Sequence, residues 1–179
     1  MRKRGAFRVA PLLLLGALVW SPPTSAQDAS APRPMLDGAA LPVDLVVIRK
    51  QARVLELWFQ GKPVHAIGGI QLGDAPLGHK QAQGDERTPE GRYTIDWANP
   101  QSRYHLSLHI SYPDAQDRAF AAGQGRSAGG MIMIHGQPND WGDDRVEGDW
   151  TDGCIALSNA EMDLLWASVP IGTPIEITP

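Results

Sequence analysis

The sequence predicts a mostly-β domain of sandwich type, with two short helices packed outside the strands. Three observations indicate this fold class. Short β-branched and apolar runs recur along the chain, only two segments have a helical pattern, and no internal repeat is present. The chain has 179 residues, of which 42% are hydrophobic and 20% charged, as is typical of one soluble globular domain.

Seven segments carry the β-branched or alternating apolar residues that are typical of strands. The first two, 43–49 and 53–59, are separated by only three residues and predict a hairpin. The remaining five segments, in chain order, are 63–68, 93–97, 105–111, 131–134 and 174–178.

Two segments carry helix start signals. Asp114 can cap a helix that runs to about Ala122, just before Gly123. Ser158 and Glu161 form an S-x-x-E capping box, which opens the second helix. Its apolar residues recur at helical spacing and predict one stripe packed on the sheet: Met162, Leu165, Trp166 and Val169.

The N-terminal segment 1–26 has the order of a secretory signal peptide: a basic start, an apolar middle and small residues before Ala26. Its apolar run is shorter than the roughly 20 residues that span a bilayer. We therefore predict cleavage after Ala26, export to the periplasm or cell envelope, and no membrane span after processing. Residues 27–41 are rich in Pro, Ala and Ser and predict a flexible tether, so that 42–179 forms the folded domain.

Charge and cysteine content narrow the class of protein. The formal net charge of −4 gives no sign of a nucleic-acid partner. An exported domain that uses cysteine structurally normally has an even number, for disulfides. Cys154 is the one cysteine of the chain, so it is a buried inert thiol, the site of an intermolecular bridge, or a nucleophile.

His135 is the candidate base for such a nucleophile. It ends the apolar segment 131–134, and Cys154 begins another apolar run 19 positions later, so neighbouring strands could bring the two together. A cysteine nucleophile needs a base because only the thiolate attacks. Gly153 would allow close approach of a substrate carbonyl, and the amides of Gly153 and Cys154 could hold an oxyanion. The alternative is a core histidine beside a simple bulge.

Three segments resemble the L,D-transpeptidase (YkuD-like) catalytic-domain family. The His-Gly pair at 135–136 and Thr-Asp-Gly-Cys-Ile at 151–155 resemble the family's His-Gly followed by [Ser/Thr]-His-Gly-Cys-[Ile/Val]. The segment 84–93 (GDERTPEGRY) is similar to the family's G-D-x-x-T-P-E-G-x-Y turn, and 111–114 to its S-Y-P-[Asn/Asp] segment.

This resemblance implies a mixed β-sandwich and cysteine acyl transfer on peptidoglycan stem peptides, without metal or cofactor. Cys154 would attack the carbonyl of the third stem-peptide residue and expel D-Ala. His135 would be the general base and acid, oriented by the backbone carbonyl of Gly136. An amine would then accept the acyl group, giving a cross-link or a lipoprotein attachment. Oxyanion or substrate contacts are expected from the residues just before the nucleophile: Thr151, Asp152 and Gly153.

Two positions depart from the family pattern. Asp152 stands where the signature has a second His, and a carboxylate there disfavours the thiolate. Ala156 stands where an Arg is frequent, so a candidate anchor for a substrate carboxylate is absent. Three other cations could replace it: Arg145, Arg126 or Arg92.

Other interpretations remain open at this stage. Water as acceptor would make the chain an L,D-carboxypeptidase or an amidase that releases attached protein, and Asp152 raises the alternative of a catalytically silent wall-binding module. A thiol–disulfide exchanger is disfavoured, because no C-x-x-C is present.

The loop 137–149 is either a lid, with Trp141 or Trp150 against the substrate, or a solvated loop. The spacing of His105 and His109 does not suit a metal site on a strand.

Overall fold

The computed structural model describes residues 41–142 and 145–179. The predicted signal peptide and all but the last residue of the predicted tether lie outside the described residues. Within the described ranges, no helix has both the length and the apolar character needed to cross a membrane.

The described residues form eight strands and two helices, and all eight strands join in one sheet. This confirms the predicted mostly-β fold class with two short helices. The sheet order is β3-β2-β1-β8-β4-β5-β6-β7. The strands and helices are β1 (Leu45–Arg49), β2 (Val54–Phe59), β3 (Lys62–Gly68), β4 (Gly91–Asn99), β5 (Ser107–Ile110), α1 (Ala115–Gly123), β6 (Met133–His135), β7 (Ile155–Ala156), α2 (Asn159–Ser168) and β8 (Pro174–Thr178).

Strand β4 connects the two halves of the sheet. Its first residues, 91–94, pair antiparallel with β8, whereas 95–99 pair antiparallel with β5. The register shifts between Ile95 and Trp97, as a β-bulge does, and bulges bend a strand and increase its twist. One hydrophobic core draws on both halves, including Ile48 and Leu55 from the first and Leu108 from the second.

Positive backbone torsions explain where the strand bounds differ from the predicted ones. The predicted strand 105–111 is only Ser107–Ile110, and His105 has φ +63°. The predicted strand 131–134 is Met133–His135, and Met131 has φ +58°. Such left-handed residues cannot continue a strand. The sequence pattern shows apolar alternation, but it does not show these local departures from extended backbone.

Both predicted helix starts are confirmed. Asp114 accepts hydrogen bonds from the amides of Gln116 and Asp117, and Ser158 forms a reciprocal capping box with Glu161. On α2 the predicted apolar stripe lies on the core: Met162, Leu165 and Val169 are buried, and Trp166 packs against them.

The Gly-Asp-x-x-Thr-Pro-Glu-Gly segment is a loop held by two buried ammonium groups. Lys50 Nζ donates to the carbonyls of Gly78 (2.6 Å) and Thr88 (3.1 Å) and to Glu90 Oε1 (2.8 Å). The other ammonium is that of Lys80, 3% exposed, whose Nζ lies 2.8 Å from Asp85 Oδ1. These contacts fix the loop between β3 and β4 against the rest of the domain.

Asp85 is the centre of this loop. Its carboxylate accepts from the amides of Gln81 (2.6 Å), Ala82 (3.0 Å) and Arg87 (3.2 Å), besides Lys80. Burial disfavours the carboxylate, but Lys80 and the three amides outweigh burial and lower the pKa of Asp85 from 3.8 to about 2.

We expect Asp85→Asn to lower the free energy of unfolding at pH 7 by about 2 kcal/mol, because a carboxylate whose pKa is depressed stabilises the fold wherever it is ionised. This contribution is complete above the ordinary carboxyl pKa and is lost as the pH falls through about 2. Urea unfolding of wild type and variant at pH 7 and near pH 2 measures it. Glu86→Gln, an exposed neighbour, is the control. Equal stabilities of wild type and Asp85→Asn at pH 7 would contradict the assignment.

Candidate active site

The pairing of β6 with β7 places Cys154 and His135 on one face of the sheet. The two strands run parallel, with Ile134 opposite Ile155 and His135 opposite Ala156. Since side chains alternate along a strand, both isoleucines enter the core and both candidate catalytic residues face the other way. Cys154 and His135 are thus diagonal neighbours that line one cavity.

Backbone groups surround the thiol. Cys154 Sγ accepts from the Met133 amide at 3.4 Å and lies 3.6 Å from the Met131 carbonyl oxygen. Burial raises the pKa of the Cys154 thiol, the Met133 amide lowers it, the Asp152 carboxylate raises it and the Lys80 ammonium lowers it, with a net increase. The predicted unfavourable effect of Asp152 on the thiolate is therefore present.

His135 is held as a base directed at the cavity. Its Nδ1 lies 2.7 Å from the Gly136 carbonyl oxygen, which can only accept, so Nδ1 carries the proton and Nε2 is free to take one. His135 is 3% exposed, and its ring contacts Tyr104, at a centroid distance of 4.7 Å, and Trp150, at 5.5 Å. Burial lowers the pKa of His135, and the Gly136 carbonyl offsets this only in part.

The two pKa directions determine the resting state of the pair. A raised thiol pKa and a lowered imidazole pKa both favour neutral thiol beside neutral imidazole over a thiolate–imidazolium pair. His135 can then act as a general base that removes the thiol proton as Cys154 attacks.

The turn before the nucleophile requires a glycine at one position. Gly153 has φ +115°, and a Cβ there would lie 2.4 Å from the Arg87 carbonyl oxygen. Thr151 Oγ1 accepts from the Gly153 amide at 3.2 Å and donates to the Cys154 carbonyl at 2.8 Å. Gly153 and Thr151 therefore shape the turn, and Thr151 also lines the cavity. Their role as oxyanion or substrate contacts stays a prediction. Among the described residues the amides of Asp152 and Cys154 have no acceptor, and the Cys154 amide is the one on the nucleophile itself.

Close packing fixes the position of Gly136. A Cβ there would lie 2.6 Å from Asn159 Oδ1 and 2.8 Å from His105 Cβ. The Gly136 amide donates to the Tyr104 carbonyl at 3.0 Å. This packing and the hydrogen bond to Tyr104 thus hold the residue whose carbonyl orients His135, and a side chain at this position would displace it.

Cys154 and His135 line a cavity of about 760 Å³. Four charged side chains also line it: Lys80, Glu86, Arg103 and Asp152. Lys80 is buried and paired with Asp85, whereas Glu86, Arg103 and Asp152 are exposed, and their side chains form no hydrogen bond or ion pair within the described residues.

The cations suggested from the sequence as carboxylate anchors lie elsewhere. Arg145 pairs with Glu161, Arg92 pairs with Glu176 at 3.4 Å, and neither they nor Arg126 line the cavity. The cations of the cavity are instead Lys80 and Arg103, each far from the nucleophile in sequence and without a motif that reveals it.

The segment between base and nucleophile is bound to the domain. Gln137, which is fully buried, donates to the Leu157 carbonyl at 2.6 Å and to Gln71 Oε1 at 3.1 Å, and accepts from the Val146 amide at 2.9 Å. Asp149 accepts from the Leu72 amide at 2.9 Å and pairs with Arg53. The described part of this segment is therefore bound to the domain at these points, although residues 139–142 and 147–148 are exposed. Sequence patterns did not reveal the glutamines that hold it.

The two tryptophans proposed for a lid differ in their position relative to the cavity. Trp150 lines the cavity and contacts His135 and Tyr104, whereas Trp141 is 55% exposed and does not line it. Residues 143 and 144 lie outside the described residues.

His105 and His109, which are four residues apart, each contact a different aspartate. His105 Nε2 lies 2.6 Å from Asp163 Oδ1, and His109 Nδ1 lies 2.6 Å from Asp96 Oδ1. No cluster of His, Cys, Asp or Glu suited to a metal ion occurs in the described ranges.

Comparison with known proteins identifies the family. The model of the L,D-transpeptidase catalytic domain (YkuD) matches residues 43–177. YafK of Escherichia coli strain K12 is 31% identical over 129 residues, which cover 69% of this chain and 46% of YafK. The chain belongs to the L,D-transpeptidase catalytic-domain family.

Solved structures support the same fold. The helical cell shape determining protein Pgp2 of Campylobacter jejuni (K307A mutant) is 28% identical, with a TM-score of 0.61 over 76% of this chain and 47% of that one. Bd1075 of Bdellovibrio bacteriovorus has the same fold at 21% identity, with a TM-score of 0.56 over 78% of this chain and 49% of its own. The chain thus spans about half the length of the relatives it matches.

We predict that Trp150→Ala moves the titration of His135 to higher pH, because removing the indole exposes the imidazole to water and relieves the desolvation that lowers its pKa. Proton NMR titration of the His135 ring measures the midpoint without requiring turnover. Trp150→Phe keeps an aromatic ring beside the imidazole and is the matched control. An unchanged midpoint in Trp150→Ala would exclude the indole as the group that dehydrates His135.

Proposed function

We propose that this chain is a peptidoglycan L,D-transpeptidase, with Cys154 as nucleophile and His135 as general base and acid. The observation that carries the proposal is the juxtaposition of the two side chains on paired strands at one cavity, with the His135 Nδ1 proton held by Gly136. Membership of the family supports the reaction class.

The arrangement suits acyl transfer in two steps. His135 Nε2 takes the Cys154 thiol proton while Sγ attacks the carbonyl carbon of the third stem-peptide residue. The Cys154 amide would donate to the oxyanion. The imidazolium then protonates the leaving D-Ala nitrogen, which leaves a thioester on Cys154. An amine acceptor attacks this thioester and releases the thiol.

The cell envelope is the compartment that fits this reaction. The predicted signal peptide at 1–26 would export the chain to the periplasm, where the peptidoglycan substrate lies. The described relative Pgp2 is named as a helical cell shape determining protein, and cell shape in bacteria depends on the wall. We therefore propose wall cross-linking or remodelling as the physiological role.

A second candidate is a catalytically silent wall-binding module. The observation that favours it is the raised pKa of the Cys154 thiol, to which burial and Asp152 both contribute. A carbapenem has a strained carbonyl that acylates an activated thiol. Exposure of the purified chain to a carbapenem therefore distinguishes the transpeptidase from the silent module. An adduct on Cys154 by mass spectrometry excludes the silent module, and its absence favours it.

Incubation of the chain with disaccharide-tetrapeptide muropeptides, followed by liquid chromatography and mass spectrometry, tests the proposal. Loss of D-Ala with a cross-linked dimer supports the transpeptidase. Loss of D-Ala with tripeptide monomer alone indicates water as acceptor, hence a carboxypeptidase. If the muropeptides are unchanged, the chain does not act on free tetrapeptides. The remaining candidates are then an amidase that releases attached protein and the silent module.

We expect Cys154→Ala to abolish turnover and His135→Ala to lower kcat by about 10²–10⁴-fold, the range of a lost general base. The matched control is His105→Ala, which removes a histidine paired with Asp163. Thermal unfolding of each variant separates chemistry from folding. Residual turnover in Cys154→Ala, or wild-type kcat in His135→Ala, would contradict the assigned roles.

A further inference from the structure

Asp152 is the feature of the cavity that the proposed chemistry does not yet use. It lies two residues before the nucleophile, it lines the cavity, and its exposed carboxylate has no partner within the described residues. In the free enzyme it acts against the reaction, because it disfavours the Cys154 thiolate. A charge that hinders the first step can still favour the second.

After acylation the thiol no longer titrates, since Sγ is part of a thioester. The unfavourable effect of Asp152 on the nucleophile is then absent, and the carboxylate faces the group that must attack next. That group is a primary amine with an ordinary pKa of about 10.4, so it arrives as an ammonium at neutral pH. A carboxylate beside the thioester attracts such a cation.

We propose that Asp152 is the specificity-determining residue for the acceptor, and that it binds the ammonium group of an amine-bearing peptide beside the acylated Cys154. This inference rests on the proposed transpeptidase function. It assigns to Asp152 the choice between amine and water, rather than a role in forming the acyl-enzyme.

The charges around the cavity agree with this role. Lys80 is paired with Asp85, so Arg103 is the exposed cation of the cavity that would attract a substrate carboxylate. Glu86 is the other carboxylate of the cavity, but it lies on the loop between β3 and β4, whereas Asp152 lies on the turn that carries the nucleophile. Of the two carboxylates, Asp152 is therefore the one positioned by the same turn as the thioester.

In the aminolysis of the thioester, His135 and water account for every proton that is transferred. His135 takes one proton from the bound ammonium, and the resulting amine nitrogen attacks the thioester carbon. The tetrahedral intermediate loses a second proton from nitrogen to water as the carbon–sulfur bond breaks. The Cys154 thiolate recovers a proton from the imidazolium. The products are an amide, the free thiol and one proton in solution.

The test is the ratio of aminolysis to hydrolysis of one acyl-enzyme, measured with disaccharide-tetrapeptide as donor and excess Nα-acetyl-lysine amide as acceptor. The amide and the tripeptide are quantified from the same reaction by mass spectrometry. Because both products arise from the same intermediate, a general loss of activity or folding does not change their ratio.

We expect Asp152→Asn to lower this ratio about fivefold, as for the loss of one partly exposed ion pair. With hydroxylamine, which is uncharged at neutral pH, the ratio should stay within about twofold of wild type. Glu86→Gln, which removes the other carboxylate of the cavity, should keep the wild-type ratio with both acceptors.

Four results would overturn the inference, and the products distinguish them. An unchanged ratio in Asp152→Asn, with amide still formed, removes the role of Asp152 while the transpeptidase stands. Equal losses with the ammonium and with hydroxylamine mean that charge is not what is recognised. Tripeptide alone from wild type means that water is the acceptor, and failure of D-Ala release means that the proposed function itself fails.

Discussion

The parallel pairing of β6 with β7 is the contact on which the candidate site depends. A slip of one residue would exchange the faces, so that the thiol would enter the core and an isoleucine would face the cavity. The strands are short, and the register is secured from both sides. Ile134 and Ile155 are fully buried on one face, and Ala156 exchanges two backbone hydrogen bonds with Gln71, at 2.8 and 3.0 Å, along the outer edge of β7.

Backbone groups provide much of the local chemistry. The Gly136 carbonyl fixes the proton of His135, the Met133 amide donates to the thiol, and the Cys154 amide faces no protein acceptor within the described residues. Side chains near the site act mostly on this backbone, as the Thr151 hydroxyl does. A site of this kind depends on turn geometry, which is why Gly136 and Gly153 lie where a Cβ would collide.

Sequence reasoning predicted the fold class and both helix caps, because alternation and capping residues are local signals. It predicted the pair of Cys154 with His135 from a lone cysteine in a chain predicted to be exported, together with the resemblance to the family's motifs. It placed some strand ends wrongly where a residue such as Met131 takes a left-handed torsion. It also missed the cations of the cavity. Lys80 reaches the site through a loop, and its position depends on tertiary packing against Asp85, which periodicity does not report.

The position of β8 has a consequence for how the domain folds during synthesis. It is the last strand along the chain, yet it lies in the middle of the sheet, between β1 and β4. As the domain is synthesised, β1–β3 and β4–β7 emerge as two separate ribbons, and neither can dock on the other through this sheet until residues 174–178 arrive. Both members of the reactive pair lie on the β4–β7 half, so this half can carry Cys154 beside His135 before the sheet is joined to β1–β3.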